Sequence, residues 1–178
     1  MLYPAIFLDR DGVINKLLFN GDPTDPANFV NSWSQFEFLP GVIETLHDFI
    51  ISGFHLVIAS NQGGIGYGNV PIVNISFIFN RMKATFMEAG IPINYIFCPH
   101  HPDDKCACRK PMPGMIFKAA VDLNIRLSDS WMIGDSCTDI VAARNAGIEN
   151  RIRIGNAECD ITSFIAADLP SAAKIILG

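Results

Sequence analysis

The stretch "AIFLDRDG" at residues 5–12 joins a short apolar run to two acids and a glycine. An unbroken apolar run indicates a strand that is buried on both faces, as parallel strands covered by helices are. Asp9 and Asp11 follow at the carboxyl end of this strand, and Gly12 allows the chain to turn. Because open α/β sheets bind ligands beyond the carboxyl ends of their strands, the stretch predicts both the fold and the edge of the sheet where chemistry occurs.

The rest of the chain repeats this alternation of apolar strands and amphipathic helices. Further strands are predicted at 54–60, 93–98, 130–135 and 151–155, and helical patterns lie at 40–53, 71–90, 113–124 and 137–147. Such an order predicts a doubly wound, Rossmann-like and mostly parallel sheet flanked by helices. Two segments fit neither pattern and are predicted to be loops: a polar one at 20–34 and a glycine-rich one at 61–71.

The composition excludes several classes of protein. The 178 residues are 49 % hydrophobic and 17 % charged, which predicts one globular domain over residues 1–178. No apolar run approaches the ~20 residues of a membrane span. The net charge of −5 and the lack of a basic stretch speak against nucleic-acid binding. With no export signal, a reducing cytoplasm is expected, so Cys137 and Cys159 are predicted to be unpaired.

A second pair of acids, Asp135 and Asp139 in "GDSCTD", ends the fourth predicted strand and opens a helix. Each pair alone has a simple structural explanation, an Asp-Gly turn for the first pair and a helix cap for the second. Two pairs at one edge of a small sheet would instead crowd negative charge unless a cation lies between them. Oxygen ligands of this kind suit Mg²⁺, so a magnesium site is predicted.

Magnesium held by carboxylates usually binds the phosphate group of a substrate. The chain also contains the other groups that phosphoryl transfer needs. Asp9 could attack phosphorus, and Asp11 could protonate the leaving oxygen and later activate water. The Ser60 hydroxyl could bind phosphate oxygens, and Lys110 in "RKP" could neutralise their charge. The remaining predicted phosphate or substrate contacts are Asn61, Gln62 and Arg109.

The stretch "FCPHHPDDKCACRKP" at 97–111 holds a dense set of metal-binding side chains. Three thiols and one imidazole form a complete tetrahedral set for zinc, from Cys98, His100, Cys106 and Cys108. Disulfides or reactive thiols are the alternatives, and His101 could replace His100 with a different path of the loop. A closed four-ligand site predicts a structural zinc loop at 98–108, which would fix the position of Lys110.

"DRDG", "SNQ", "RKP" and "GDSCTD", in this order at strand ends, resemble the motifs of the haloacid dehalogenase superfamily of aspartate phosphatases. The resemblance implies a nucleophilic Asp9, an acid/base Asp11, a phosphate ligand at Ser60 and a charge-neutralising Lys110. It also implies Mg²⁺ ligands from Asp9, the backbone carbonyl of Asp11, and Asp135. By the same resemblance Asp139 would support the site from behind these ligands.

The cysteine-rich loop narrows the resemblance to the branch that contains the heptose bisphosphate and histidinol-phosphate phosphatases. That branch implies a phosphomonoesterase without a large cap domain that acts on a small sugar phosphate or bisphosphate. The chain is expected to be a monomer. Heptose bisphosphate is the leading substrate and histidinol phosphate its closest rival. The chain departs from the branch at "GIGYG", where Tyr67 replaces an expected arginine. Two non-enzyme alternatives are a receiver-type signalling domain that accepts a phosphoryl group, and a zinc-organised binding module.

Overall fold

The computed structural model describes residues 1–18, 30–156 and 159–178. Its centre is a six-stranded sheet in which every neighbouring pair of strands is parallel, in the order β3-β2-β1-β4-β5-β6. The strands are β1 Ala5–Leu8, β2 His55–Asn61, β3 Ile93–Cys98, β4 Trp131–Gly134, β5 Asn150–Ile154 and β6 Phe164–Ala166. The chain reverses its direction across the sheet between β3 and β4, as a doubly wound sheet requires.

All helices but the last connect successive strands from β1 to β5, and together the helices cover both faces of the sheet. They are α1 Val42–Ile51, α2 Gly63–Gly66, α3 Ile72–Glu88, α4 Gly114–Leu123, α5 Cys137–Asn145 and α6 Leu169–Leu177. Single 3₁₀ turns occur at Trp33–Gln35, Pro102–Asp104 and Leu127–Asp129. The predicted fold class is therefore confirmed, and the described residues include no large cap domain.

The buried side chains of β1 show how one strand serves two hydrophobic layers. Ile6 and Leu8 pack into the layer formed by α1, α3 and α6, whereas Ala5 and Phe7 pack into the layer formed by α4 and α5. All four side chains are fully buried. Successive residues of a strand point to opposite faces, so a fully apolar β1 follows from covering both faces with helices.

The five predicted strands are confirmed to within one or two residues at each end, and the four predicted helices are confirmed as well. The strand β6 and the helix α6 were not predicted; β6 has only three residues and carries almost no periodic signal. The glycine-rich loop at 61–71 contains the short helix α2. Most of the polar loop predicted at 20–34 lies outside the described residues.

The expectation for Cys137 and Cys159 is wrong, because the structure joins them in a disulfide across 22 positions of the chain. The bond links the first residue of α5 to the segment that follows β5. Within the described ranges, each helix is too short or too polar to cross a membrane.

We expect Phe86→Ala to lower the free energy of unfolding by about 3–5 kcal/mol, because the ring is fully buried in the layer under α3. Phe77→Ala is the matched control, since Phe77 lies on the same helix and is 56 % exposed. The control should change stability by no more than about 0.5 kcal/mol. Urea unfolding of the two variants measures this, and equal losses would contradict the assigned face of α3.

Candidate active site

The register of the sheet brings the predicted acids and Ser60 to one edge. Leu8 of β1 lies opposite Ile58 of β2 and Ile133 of β4. Asp9 therefore comes one residue beyond this level, and Ser60 and Asp135 come two residues beyond it. Three residues that are far apart in sequence meet because parallel strands end together.

Three carboxylates form a cluster at this edge. One oxygen from each of Asp9, Asp135 and Asp139 lies within 4.8 Å of the others. Gly12 makes room for this arrangement: its φ is +80°, and a Cβ there would lie 2.2 Å from Oδ2 of Asp135. The turn after β1 therefore needs glycine for two reasons: its backbone has a positive φ, and the Asp135 carboxylate lies where a Cβ would be.

The Lys110 side chain lies among these carboxylates. Its Nζ is 2.9 Å from Oδ1 of Asp9 and 2.5 Å from Oδ1 of Asp139, and it donates to the backbone oxygen of Ala59 at 2.7 Å. Asp139 is fully buried, and its Oδ2 accepts from the backbone N–H of Ser136 at the start of α5. Both oxygens of Asp139 are thus committed to groups of the protein, whereas Asp135 keeps a freer carboxylate.

Burial and crowding perturb the pKa values of these groups. Burial raises the pKa of Asp9 to about 7, with Lys110 opposing the shift and the Asp139 and Asp135 carboxylates adding to it. Burial and the neighbouring Asp139 raise the pKa of Asp135 to about 6. Burial alone would lower the pKa of Lys110, but Asp139 and Asp9 raise it above its usual value. One ammonium does not offset three carboxylates, so the donor set and its charge fit a divalent cation between Asp9 and Asp135.

Two asparagines hold the backbone around Lys110. Asn61 at the end of β2 donates from Nδ2 to the Lys110 carbonyl at 3.0 Å and accepts from the Lys110 N–H at 2.9 Å. Asn145 donates to the carbonyl of Pro111 from the exposed end of α5. Asn61 therefore positions the lysine rather than pointing at the carboxylate cluster.

Asp11 has a different environment from Asp9. Its carboxylate accepts from the guanidinium of Arg10 and from Nδ2 of Asn15, and Gln62 lies 3.5 Å away. Gln62 also donates to the Ser60 hydroxyl at 2.8 Å. Arg10 and Asn15 were not predicted as site residues, because a polar residue just beyond a strand gives no local sign that its side chain is buried.

The predicted zinc ligands also come together. The sulfur atoms of Cys98, Cys106 and Cys108 lie 3.1–3.6 Å apart, and Nδ1 of His100 is 3.1 Å from Sγ of Cys108. None of the three cysteines is in a disulfide. Four ligands around one zinc ion would be separated by roughly 3.8 Å, so the cluster fits such an ion with small adjustments. His101 is engaged elsewhere, accepting from the Asp103 N–H.

The glycine-rich loop packs directly against the cysteine-rich loop. A Cβ on Gly66 would lie 2.1 Å from the backbone nitrogen of His101, so only glycine allows this contact. The Tyr67 ring meets the His101 ring edge-on at 4.4 Å. The Arg109 guanidinium lies near Gly63, with Nη1 3.5 Å from the His100 carbonyl. Tyr67 therefore packs against the cysteine-rich loop, which ends just before Arg109.

A cavity of about 550 Å³ adjoins Lys110 between the cysteine-rich loop and the start of α5. Its walls include two cations, Lys105 and Arg109, beside Asn61, Met112 and Thr138. The charge of these walls suits a small anionic molecule that reaches Lys110.

The chain is similar to proteins of one family over nearly its whole length. A family model described as HAD-hydrolase-like matches residues 107–150. The D-glycero-β-D-manno-heptose-1,7-bisphosphate 7-phosphatase of Yersinia pestis is 35 % identical over 96 % of this chain and 95 % of its own. The enzyme of the same name from Escherichia coli K12 is 35 % identical over 96 % of this chain and 94 % of its own.

A solved structure supports the same relationship. The D,D-heptose 1,7-bisphosphate phosphatase from B. bronchiseptica, crystallised with magnesium and phosphate, superposes with a TM-score of 0.82. It is 30 % identical, and the match covers 98 % of each chain. The sheet, the carboxylate cluster and the family match define a haloacid dehalogenase-like hydrolase of the phosphatase type. Within that class, the chain belongs to the family of the heptose bisphosphate phosphatases, which confirms the predicted superfamily and enzyme class, a phosphoric monoester hydrolase.

We expect Asn61→Ala to reduce kcat by about tenfold to a hundredfold, because the Lys110 backbone loses both bonds that fix it to β2. Asn145→Ala is the control, since it removes one exposed bond to the next residue of the same loop. Steady-state phosphate release measures both variants. A control as impaired as Asn61→Ala would mean that general loosening of the loop, rather than the Asn61 contacts, causes the loss.

Proposed function

We propose that the protein is a Mg²⁺-dependent phosphomonoesterase that removes the 7-phosphate of D-glycero-β-D-manno-heptose 1,7-bisphosphate. The observation that carries the chemistry is the contact of Asp9 with Lys110 beside Asp135, at an edge of the sheet that also bears Asp11 and Ser60. The sugar is inferred from the names of the relatives, which this chain matches over almost their full length.

In this proposal Asp9 is the nucleophile and forms an aspartyl-phosphate. An oxygen of Asp9 attacks phosphorus, the bond from phosphorus to the sugar oxygen breaks, and Asp11 gives a proton to that leaving oxygen. Asp11 then takes a proton from water, which attacks phosphorus, releases inorganic phosphate and regenerates Asp9. Burial and the neighbouring carboxylates raise the pKa of Asp9, and a cation bound beside it would favour the ionised form that attacks phosphorus.

The remaining polar groups hold the phosphoryl group in line. The Lys110 ammonium and the Ser60 hydroxyl are the proposed partners of its oxygens, with Gln62 orienting Ser60. Arg109 faces the adjoining cavity and is the proposed contact for the rest of the substrate. Asn61 acts through Lys110, in place of the direct substrate contact expected from the sequence.

Mg²⁺ is the proposed cofactor of this site, held by the carboxylates of Asp9 and Asp135 and the backbone carbonyl of Asp11. Bound there, the ion would offset the negative charge of the phosphoryl group. The crowded carboxylates and the raised pKa of Asp135 support a cation at this place. Asp139 would orient Lys110 instead of ligating the ion.

A structural zinc ion is the second proposed cofactor, bound by Cys98, His100, Cys106 and Cys108. The four ligands close the coordination shell, so this ion would order the loop at 98–108 without joining the reaction. We further propose that residues 1–178 act as a single domain and as a monomer in the cytoplasm, on a small phosphorylated metabolite.

A panel of phosphate esters tests the substrate. We expect the fastest phosphate release from the β anomer of heptose 1,7-bisphosphate, with the α anomer and histidinol phosphate slower. Asp9→Asn should remove turnover with every ester, because an amide does not attack phosphorus. A preference for histidinol phosphate would overturn the proposed sugar. A wild-type protein that accepts one phosphoryl group and holds it would instead support a receiver-type domain.

Replacing a zinc ligand should distinguish the structural role of zinc from the catalytic role of Mg²⁺. Cys106→Ser should lose about one tightly bound zinc ion per chain and lower the melting temperature, because the loop loses a ligand. KM should rise more than kcat falls, since Arg109 depends on this loop whereas Lys110 keeps its bonds to Asn61. Metal analysis and steady-state kinetics measure these changes. Cys159→Ser is the control and should keep its zinc, and a zinc-free wild-type protein with full activity would refute the site.

A further inference from the structure

Arg10, which lies between the two acids of "DRDG", is almost completely buried. Its side chain is 1 % exposed, and its guanidinium carbon lies 5.3 Å from the centre of the Phe79 ring of α3. The backbone on both sides is fixed, because the Arg10 N–H donates to Oδ1 of Asp9 and the Arg10 carbonyl accepts from the N–H groups of Ile14 and Asn15. The guanidinium therefore sits on a rigid support within the hydrophobic layer, directly behind the turn that follows β1.

The guanidinium is directed at the carboxylate of Asp11. Nη2 lies 2.9 Å from Oδ1 and 2.8 Å from Oδ2, and Nε lies 3.2 Å from Oδ2. Asn15, itself fully buried, donates to Oδ1 at 2.9 Å. Such forked contacts fix the direction of a carboxylate as well as its position. Gln62 approaches Oδ2 through Nε2 at 3.5 Å, the longest contact of this carboxylate, and the same amide donates to the Ser60 hydroxyl.

Stability does not account for an arginine at this place. Its Nη1 atom is buried and has no hydrogen-bond partner among the described residues. Burying a charged group with one donor unpaired costs free energy, and hydrophobic side chains often replace buried ion pairs without loss of stability. The hydrogen bonds of this guanidinium all go to Asp11, the carboxylate that the proposed mechanism uses for proton transfer.

We propose that Arg10 is a positioning residue for proton transfer: it holds Asp11 so that Oδ2, the oxygen that Gln62 approaches, exchanges the proton with the leaving oxygen and with water. The inference rests on the proposed function, which makes Asp11 the acid/base. Arg10 itself touches neither substrate nor metal in this assignment. Asn15 is its partner, fixing the opposite oxygen of the same carboxylate.

The consequence is a loss that depends on the leaving group. Alkyl phosphates release a strongly basic alkoxide and need the proton from Asp11, whereas p-nitrophenyl phosphate releases a stable phenolate and needs it little. We expect Arg10→Met to lower kcat for heptose bisphosphate by about 10²- to 10³-fold, but for p-nitrophenyl phosphate by less than about tenfold. Arg10→Lys keeps the charge without the fork and should give an intermediate loss with the same selectivity.

Asp11→Asn and Arg151→Met provide the comparisons. Arg10→Met should add little to the loss caused by Asp11→Asn, because both remove one function. Arg151 donates to two backbone carbonyls beyond β4, far along the chain from Asp11. Its replacement should therefore change kcat for both substrates by the same factor. Circular dichroism checks the folding of every variant, and Arg10→Lys carries the test if Arg10→Met does not fold.

Three results would overturn the inference. Equal losses with alkyl and aryl substrates would show that Arg10 supports the fold or the nucleophile instead. Fully multiplicative losses in the double variant would separate Arg10 from Asp11. A wild-type protein as selective for p-nitrophenyl phosphate as Asp11→Asn would show that no acid acts here at all, and that failure of the proposed function is visible before any Arg10 variant is measured.

Discussion

The arrangement at the active edge depends on one buried ammonium among carboxylates. Lys110 is 3 % exposed, and its Nζ contacts both Asp9 and fully buried Asp139. Removing such charges from water costs several kcal/mol per ion, and only close, well-aligned contacts recover that cost. The surroundings must therefore hold the three groups to within a few tenths of an ångström. The register of β1 with β2 and β4, fixed by backbone hydrogen bonds, does this for Asp9. Asp139 is held at the start of α5, where its Oδ2 accepts from the Ser136 N–H.

The lysine comes from a loop, so it needs separate support. Asn61 binds both backbone polar groups of Lys110, and this pair of bonds connects the loop to the end of β2. The cysteine-rich segment supports the same loop from the other side, and Gly66 allows it to lie against the helix α2. These two supports fix the position of Lys110 as firmly as if it lay on a strand. A preorganised positive charge in an active site needs such a fixed position.

The two acids of "DRDG" are only two positions apart, yet they have opposite surroundings. Asp9 faces other carboxylates and one ammonium, and burial raises its pKa to about 7. Asp11 turns towards Arg10 and Asn15, so donors of the protein surround its carboxylate. Different environments allow identical side chains to take different roles in one reaction. In an extended strand, residues two apart share one face, so this separation comes from the bend at Arg10 and the turn at Gly12 that end β1.

The sequence by itself determined the layers, five of the strands and the identity of the acids, because buried strands and strand-end motifs are local signals. It also determined the spacing of the cysteines and His100, which lie within one short loop. Only the tertiary structure decided that Cys137 joins Cys159, that Arg10 is buried behind Asp11, and that Asn61 holds Lys110. Apart from the neighbouring pair Arg10 and Asp11, these contacts join distant parts of the chain, and burial itself depends on what the rest of the fold places around a side chain. No local pattern encodes such contacts, since they exist only once the strands lie side by side.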